Sequence, residues 1–228
     1  MIDGKFAPEM YSTEVEAQEK HRDVLFFDVP FHTDQELSYA QLKDSGQNID
    51  LPRGMLSIAS HLKEQQISSE VVPLDAHLYP NKNEMITDGE FDQGKFTQAI
   101  EKTIDEHILE SSPKAVAVSM MYTFAEPIAL EMTKFIKQKY PDKKVIVGGN
   151  HATFNDLELL DPENETGIDI VVRFEGEVTM AELMKELESD DTDLSKVAGI
   201  SWKDSNGEIH QTPPRERVDL YQIPPLDY

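Results

Sequence analysis

The sequence predicts an α/β fold, a parallel sheet wound on both faces by helices, and three observations carry that prediction. Short apolar runs recur at 23–29, 69–75, 114–121, 143–149 and 167–173. Between them lie stretches whose apolar residues return at helical spacing. The run KAVAVSMM, 114–121, is nearly continuous in its apolar character, as befits a central parallel strand covered on both faces.

Each element follows in order. Residues 1–22 are polar and read as an arm, in which STEVEAQEKHRD forms a short exposed helix with Ser12 or Thr13 as its cap. DVLFFDV, 23–29, is the first strand, and a long polar loop follows it over 30–52. Loops of that length inside a compact domain are usually functional or disordered. RGMLSIASHLKEQ places Met55, Ile58, Ala59 and Leu62 on one helical face. Pro52 precedes that helix, where a missing N–H costs little. SEVVPLD, 69–75, is the second strand, and 76–92 reads as another loop, rich in Asn, Asp and Gly. DQGKFTQAIEKTIDEHILES repeats Phe96, Ile100, Ile104 and Ile108 at helical spacing. After the third strand, EPIALEMTKFIKQKY makes a helix that Pro141 stops. KKVIVGG, 143–149, and GIDIVVR, 167–173, are the fourth and fifth strands, and GEVTMAELMKELES is the last helix.

Five such units fit the flavodoxin-like (Rossmann-like) doubly wound layout, with strand order 2-1-3-4-5. VAGISWKDSNGEIHQT then reads as a hairpin, with Ile200 and Trp202 before a turn through Ser205, Asn206 and Gly207, and Ile209 after it. The tail PPRERVDLYQIPPLDY carries four prolines and reads as an extended linker. The expected division is an arm at 1–22, a domain at 23–192, and hairpin plus linker at 193–228.

Composition narrows the partners. The chain has 228 residues, enough for one domain with a real core and no covalent staples. Its net charge of −23 repels nucleic-acid phosphates and anionic lipid, so neither is an expected partner. There is no cysteine, which excludes a disulfide, a thiolate metal site, a cysteine nucleophile and a cysteine-ligated cluster within this chain. No apolar run approaches the roughly 18 residues of a membrane span, and the polar start is unlike a signal peptide; the cytoplasm is the expected compartment.

In an open α/β sheet, ligands lie beyond the carboxyl ends of the strands. The candidates there are the 30–52 loop, then Ser119, Met120, Met121, Tyr122 and Thr123 after the third strand. The fourth strand ends in Gly148, Gly149, Asn150 and His151, and the fifth in Arg173, Phe174, Glu175, Gly176 and Glu177. Paired glycines lack Cβ and let a bulky ligand approach the backbone, although a tight strand-to-helix turn also explains them. The glutamates also suit helix capping. Neither G-x-x-x-x-G-K-[ST] nor G-x-G-x-x-G is present, no aspartate ends the third strand, and no G-x-S-x-G surrounds Ser119. Of the histidines, His61 and His107 fall in helices, and His21 and His210 lack polar partners at ligand spacing. His32 and His151 stand at strand ends.

These stretches, LPRGMLSIASHLKEQ, AVSMMYTFAEPIALEMTKFIKQKYPDKKVIVGGNHATF, IDIVVRFEGEVTMAELMKEL and the hairpin with its linker, resemble the N-terminal cobalamin-binding domain of B12-dependent radical SAM proteins over roughly 23–228. The resemblance implies a cobalamin held with its nucleotide tail against the end of the fourth strand, in a slot flanked by Ser119 and Gly149. The corrin ring would then lie over the 30–54 segment, with Pro52 and Gly54, and over 120–123. Met120, Met121 and Tyr122 would pack below it, and Thr123, Gly148, Asn150, His151, Glu175, Gly176 and Glu177 would line the adjoining strand ends. D-x-H-x-x-G, whose histidine ligates cobalt in many such domains, is absent; Asp28 to His32 reads DVPFH. The expected mode is therefore base-off and histidine-off, with no protein ligand to the metal. Such family members continue into a barrel that holds a 4Fe–4S cluster and S-adenosylmethionine. This chain is expected to be their binding half, not an enzyme by itself, with affinity of about micromolar or poorer and the possibility of being isolated empty. The rival is a cofactor-free sensory or protein-interaction domain of the same fold. Gly149→Val is expected to abolish cobalamin retention and leave the fold intact.

One expected outcome needs only the sequence. Anaerobic reconstitution of residues 1–228 with iron and sulfide should yield no cluster absorbance and no cleavage of S-adenosylmethionine, because no thiolate exists to hold the iron. A stoichiometric cluster would contradict this.

Overall fold

A computed structural model describes residues 21–30, 52–78, 84–88, 90–216 and 223–225. The arm with Ser12 and Thr13, most of the 30–52 loop with His32, and parts of the tail lie outside the described residues.

The five expected strands form as parallel neighbours. They are β1 (Val24–Asp28), β2 (Ser69–Pro73), β5 (Ala115–Ser119), β6 (Lys144–Gly148) and β7 (Ile170–Val172). β8 (Ile200–Lys203) and β9 (Ile209–Gln211) are the expected hairpin, and the sheet order is β2-β1-β5-β6-β7-β8-β9. The parallel part has the flavodoxin-like order. The hairpin is not an appendage: β8 pairs antiparallel with β7, which extends one sheet to seven strands.

Two layers of helices cover the sheet. On one face lie α1 (Arg53–Glu64) and α7 (Glu177–Glu188), on the other α3 (Gln93–Ser111) and α4 (Glu126–Lys139). Each buries the apolar stripe that its sequence spaces at 3.6 residues, for example Phe96, Ile100, Ile104 and Ile108 of α3. Asp92 caps α3 by accepting from the Lys95 amide at 3.1 Å. Strand alternation separates the two cores. Leu25, Phe27, Val116, Val118, Val145, Val147 and Val171 face α3 and α4, while Val24, Phe26, Ala115, Ala117, Ile146, Ile170 and Val172 face α1 and α7.

Some local structure departs from expectation. The second strand stops at Pro73, which lacks an N–H for further pairing, and α2 (Leu74–Leu78) follows by burying Leu74 and Leu78. The stretch expected to be loop also holds a two-residue ladder, β3 (Ile86–Thr87) with β4 (Glu90–Phe91). Two short helices, α5 (Asn150–Phe154) and α6 (Asp156–Leu160), follow the paired glycines where no helix was expected.

The hairpin is anchored by a buried polar cluster. Asp156 accepts from the Ser201 hydroxyl at 2.5 Å and the Gln211 amide at 2.7 Å, and lies 3.7 Å from Arg173 Nε. The Arg173 guanidinium donates to the carbonyls of Ile200 and Thr212. Removing one partner of a buried ion pair leaves the other charge without compensation. Asp156→Ala should therefore lower unfolding free energy by roughly 3–5 kcal/mol in urea titration, and amide exchange should quicken across 200–212. A change under about 1 kcal/mol would mean that the cluster does not hold the hairpin.

Candidate functional site

The carboxyl edge of the sheet contains a hollow, and side-chain size explains it. Register aligns Phe26 with Ala117 and Ala117 with Ile146, and one row outward Asp28 with Ser119, Ser119 with Gly148 and Gly148 with Val172. Alternate residues of a strand share a face, so Ala117, Ser119 and Gly148 face α1 and α7 with almost no side chain. Opposite them stand Met55 and Ile58 of α1 and Met180 of α7. The space left between is a cavity of about 330 Å³ that opens at the strand ends. Phe26, Ile146 and Val172 complete its deep part, and Met121, Asn150, Thr153, Phe174, Glu175, Gly176 and Glu177 stand around it.

A second chamber of about 300 Å³ lies over the end of β1 and shares Gly54, Met55, Ser119 and Met121 with the first. Pro30, Pro52, Arg53, Asp75, Tyr122 and Phe124 are among its walls. Gly54 stands where the two meet, and an added Cβ there would touch nothing within 4 Å. Its lack of a side chain thus serves no packing need and keeps the doorway between the chambers wide.

The rim is apolar and exposed. Met121 is 46% exposed, Tyr122 50%, Phe124 46% and Phe174 55%. The rings of Tyr122 and Phe124 stack at 5.2 Å and 7°. Phe174 has φ +62° and its amide donates to the Thr153 hydroxyl at 2.9 Å, so the turn after β7 is tied to α5. Glu177 accepts from the Ser57 hydroxyl at 2.7 Å and joins α7 to α1 at the cavity's wall.

The structure thus brings Gly54, Ser119, Met121, Gly148, Gly149, Asn150, Glu175, Gly176 and Glu177 to one cavity, and Pro52 and Tyr122 to the adjoining chamber. Four of the residues singled out in the sequence stand elsewhere, Arg173 being held in the buried cluster with Asp156. Met120 is fully buried in the core toward α3 and α4, so it does not reach the opening where a position below the ring was expected. His151 Nε2 donates to the Glu126 carboxylate at 2.6 Å, while its Nδ1 accepts from Thr123 at 3.1 Å and from Asn155 at 3.2 Å. Thr123 and His151 therefore bind α5 to the start of α4 beside the rim. Sequence reading missed Ala117, Ile146, Thr153, Val172 and Met180, while Phe174, named at the end of the fifth strand, does stand at the cavity. The Ala/Val alternation in AVAVS was the available signal for the first of them.

His210 does find polar partners, contrary to expectation. Ligating atoms of Asp204, Glu208 and His210 lie within 4.8 Å of one another at the hairpin turn. The Asp204 carboxylate there accepts from the amides of Asn206 and Glu208, as a turn-forming residue does.

The two glycines have different reasons to be glycine. Gly149 has φ +110°, and a Cβ on it would stand 2.7 Å from the Met120 carbonyl oxygen, inside van der Waals contact with backbone. The same carbonyl accepts from the Ala152 amide at 3.3 Å, so this point joins β5, β6 and α5. A side chain at 149 strains the fold itself; the expectation that Gly149→Val spares it is overturned. A Cβ on Gly148 would meet Val172 at 3.7 Å, an ordinary contact. Gly149→Ala should lower stability by about 1–3 kcal/mol from backbone strain plus the clash, and Gly148→Ala should leave the thermal midpoint near the parent's. Equal midpoints for the two variants would show that the strand end relaxes around residue 149.

Among the described residues no helix is long and apolar enough to cross a membrane. Residues 47–184 match the model of the B12 binding domain family. The chain is 30% identical over 176 residues to an anaerobic magnesium-protoporphyrin IX monomethyl ester cyclase from Synechocystis sp., a match covering 75% of this chain and 30% of that protein. It is 38% identical over 102 residues to an uncharacterized methyltransferase from Pyrococcus horikoshii, covering 43% of this chain and 21% of the other. The solved apo structure of OxsB, a cobalamin-dependent S-adenosylmethionine radical enzyme, shares the fold with a TM-score of 0.54 and 18% identity, over 90% of this chain and 24% of that one. The chain spans less than a third of each of these longer proteins. With the family model matching more than half of its length, the chain belongs to the B12 binding domain family.

Proposed function

We propose that this chain is the corrinoid-holding module of a larger cobalamin-dependent radical SAM protein. The observation that carries the reading is the hollow over Ala117, Ser119 and Gly148, a cradle that side chains at 148 and 117 would fill. The residues fit the cofactor. The lining of the deep cavity between the sheet and helices α1 and α7 would hold the nucleotide tail, and Met121, Tyr122, Gly54 and Pro52 at the rim would hold the corrin ring. Bound cobalamin supplies the organometallic chemistry of cobalt; this chain's residues bind, orient and exclude water. Ser119 presents a hydroxyl to the tail at the cavity's throat, and Gly54 lets the ligand run from one chamber to the other. The absence of D-x-H-x-x-G supports a base-off, histidine-off mode, and the engagement of His151 with Glu126 and Thr123 supports it further by keeping that ring in a protein contact. Cluster and S-adenosylmethionine chemistry belong to a separate barrel in cis, for which the wide apolar rim is the meeting surface.

The same rim also favours a second reading, a protein-interaction domain without cofactor, since exposed aromatics mark contact surfaces. Absorbance after equilibrium dialysis against hydroxocobalamin separates the two. The parent should retain the corrinoid, and Gly148→Leu, which places a side chain in the throat, should lose it while keeping its circular dichroism and melting behaviour. Retention by Gly148→Leu equal to the parent's would rule out the tail slot. Electron paramagnetic resonance of the Co(II) form should show no nitrogen splitting from a lower imidazole, and splitting that disappears in His32→Ala would overturn the histidine-off mode.

A further inference from the structure

The cavity changes chemistry with depth. Ser119, Asn150, Glu175 and Glu177 supply its polar groups at the strand and helix ends. Its floor and walls are Phe26, Ala117, Ile146 and Val172, closed over by Ile58 and Met180. The polar side chains nearest the depth are already engaged. Thr153 donates to the Gly149 carbonyl at 2.9 Å and accepts from the Phe174 amide, and Glu177 accepts from Ser57. Floor backbone is committed to the parallel ladder from β1 through β7. The deep half therefore offers a buried ligand edge dispersion contacts and no side-chain hydrogen-bond partner.

We infer that this cavity selects among corrinoids by the base at the end of the nucleotide tail, accepting a benzimidazole and rejecting a purine. The inference rests on the tail-slot reading of the preceding section. Corrinoids share the ring and differ in that base. The far edge of dimethylbenzimidazole is a carbocycle with two methyl groups, which this lining suits. The far edge of adenine carries an amine and ring nitrogens, all hydrated in water. Each of those, buried without a partner, weakens binding by roughly ten- to a hundredfold. The one free nitrogen of the benzimidazole belongs to the ring that carries the ribose, so the far edge that would enter the apolar depth holds no polar atom.

Equilibrium dialysis of the full chain against three corrinoids tests this: cobalamin, its adenine-based counterpart, and cobinamide, which lacks the tail. Cobalamin should bind at least about tenfold more tightly than the adenine form. The adenine form should bind no better than about cobinamide. Val172→Thr, which swaps a methyl for a hydroxyl in the lining at nearly constant shape, should narrow the ratio of cobalamin to adenine form. The ratio is internal to each protein, so a general loss of stability does not mimic the effect, and the parental ratio decides even where the variant fails to fold. Equal binding of the two tailed corrinoids, both above cobinamide, overturns the selectivity and leaves the slot standing. Cobinamide binding as well as cobalamin, or no corrinoid binding at all, removes the slot and the selectivity together.

Discussion

The carboxyl edge of this molecule depends on a difference in side-chain size across a single sheet. On the face toward α3 and α4, the central strands present Val116, Val118, Val145 and Val147, and packing there is continuous. On the face toward α1 and α7 the same strands present Ala115, Ala117, Ser119 and Gly148, with Ile146 the one large apolar side chain among them. Protein interiors close-pack, and a void forfeits the dispersion contacts its lining would otherwise make. A hollow of about 330 Å³ is therefore a feature that the fold maintains at some cost in stability. Met55 and Ile58 of α1 and Met180 of α7 form its wall on the helix side.

Adjacent glycines at the end of β6 divide the work. Gly149 is structural: its left-handed backbone and its approach to the Met120 carbonyl let the chain turn into α5 while staying against β5. Gly148 is spacious: it still belongs to the strand, its missing side chain leaves the throat open, and its neighbour Val172 has room to spare. Polar ties then hold the rim around that throat. His151 fastens α5 to α4 through Glu126, and Ser57 fastens α1 to α7 through Glu177. The shape of the opening is thus set by contacts that do not themselves enter it.

Much of this was legible in the sequence. Strand runs and helical stripes gave the parallel order, and the turn residues at 205–207 gave the hairpin. Short elements were not legible, because α2, α5 and α6 are five residues each and too brief to show a period. That the hairpin joins the main sheet shows in the β7–β8 pairing and the Asp156–Arg173 cluster, whose partners are distant in sequence and carry no local signature. In the site, glycine and polar strand ends drew attention to Ser119, Gly148 and the Glu175 to Glu177 turn. Cavity walls such as Ile146, Val172 and Met180 look like any core residue in one dimension. Met120 and His151 misled for the reverse reason: each stands beside the opening in sequence, but strand parity and a carboxylate partner turn them away from it.

The pairing of β8 with β7 also decides how this molecule meets others. Without it, the apolar trio Ile170, Val171 and Val172 would present an unpaired strand, the kind of template on which chains aggregate by adding strands. The hairpin moves that margin outward to β9, three residues long and carrying His210 and Gln211. At the opposite margin β2 ends in Pro73, which has no amide to offer. Among the described residues the sheet therefore ends in a three-residue strand at one border and in a strand closed by proline at the other, and the apolar Ile170–Val172 segment lies inside the sheet and not at its margin.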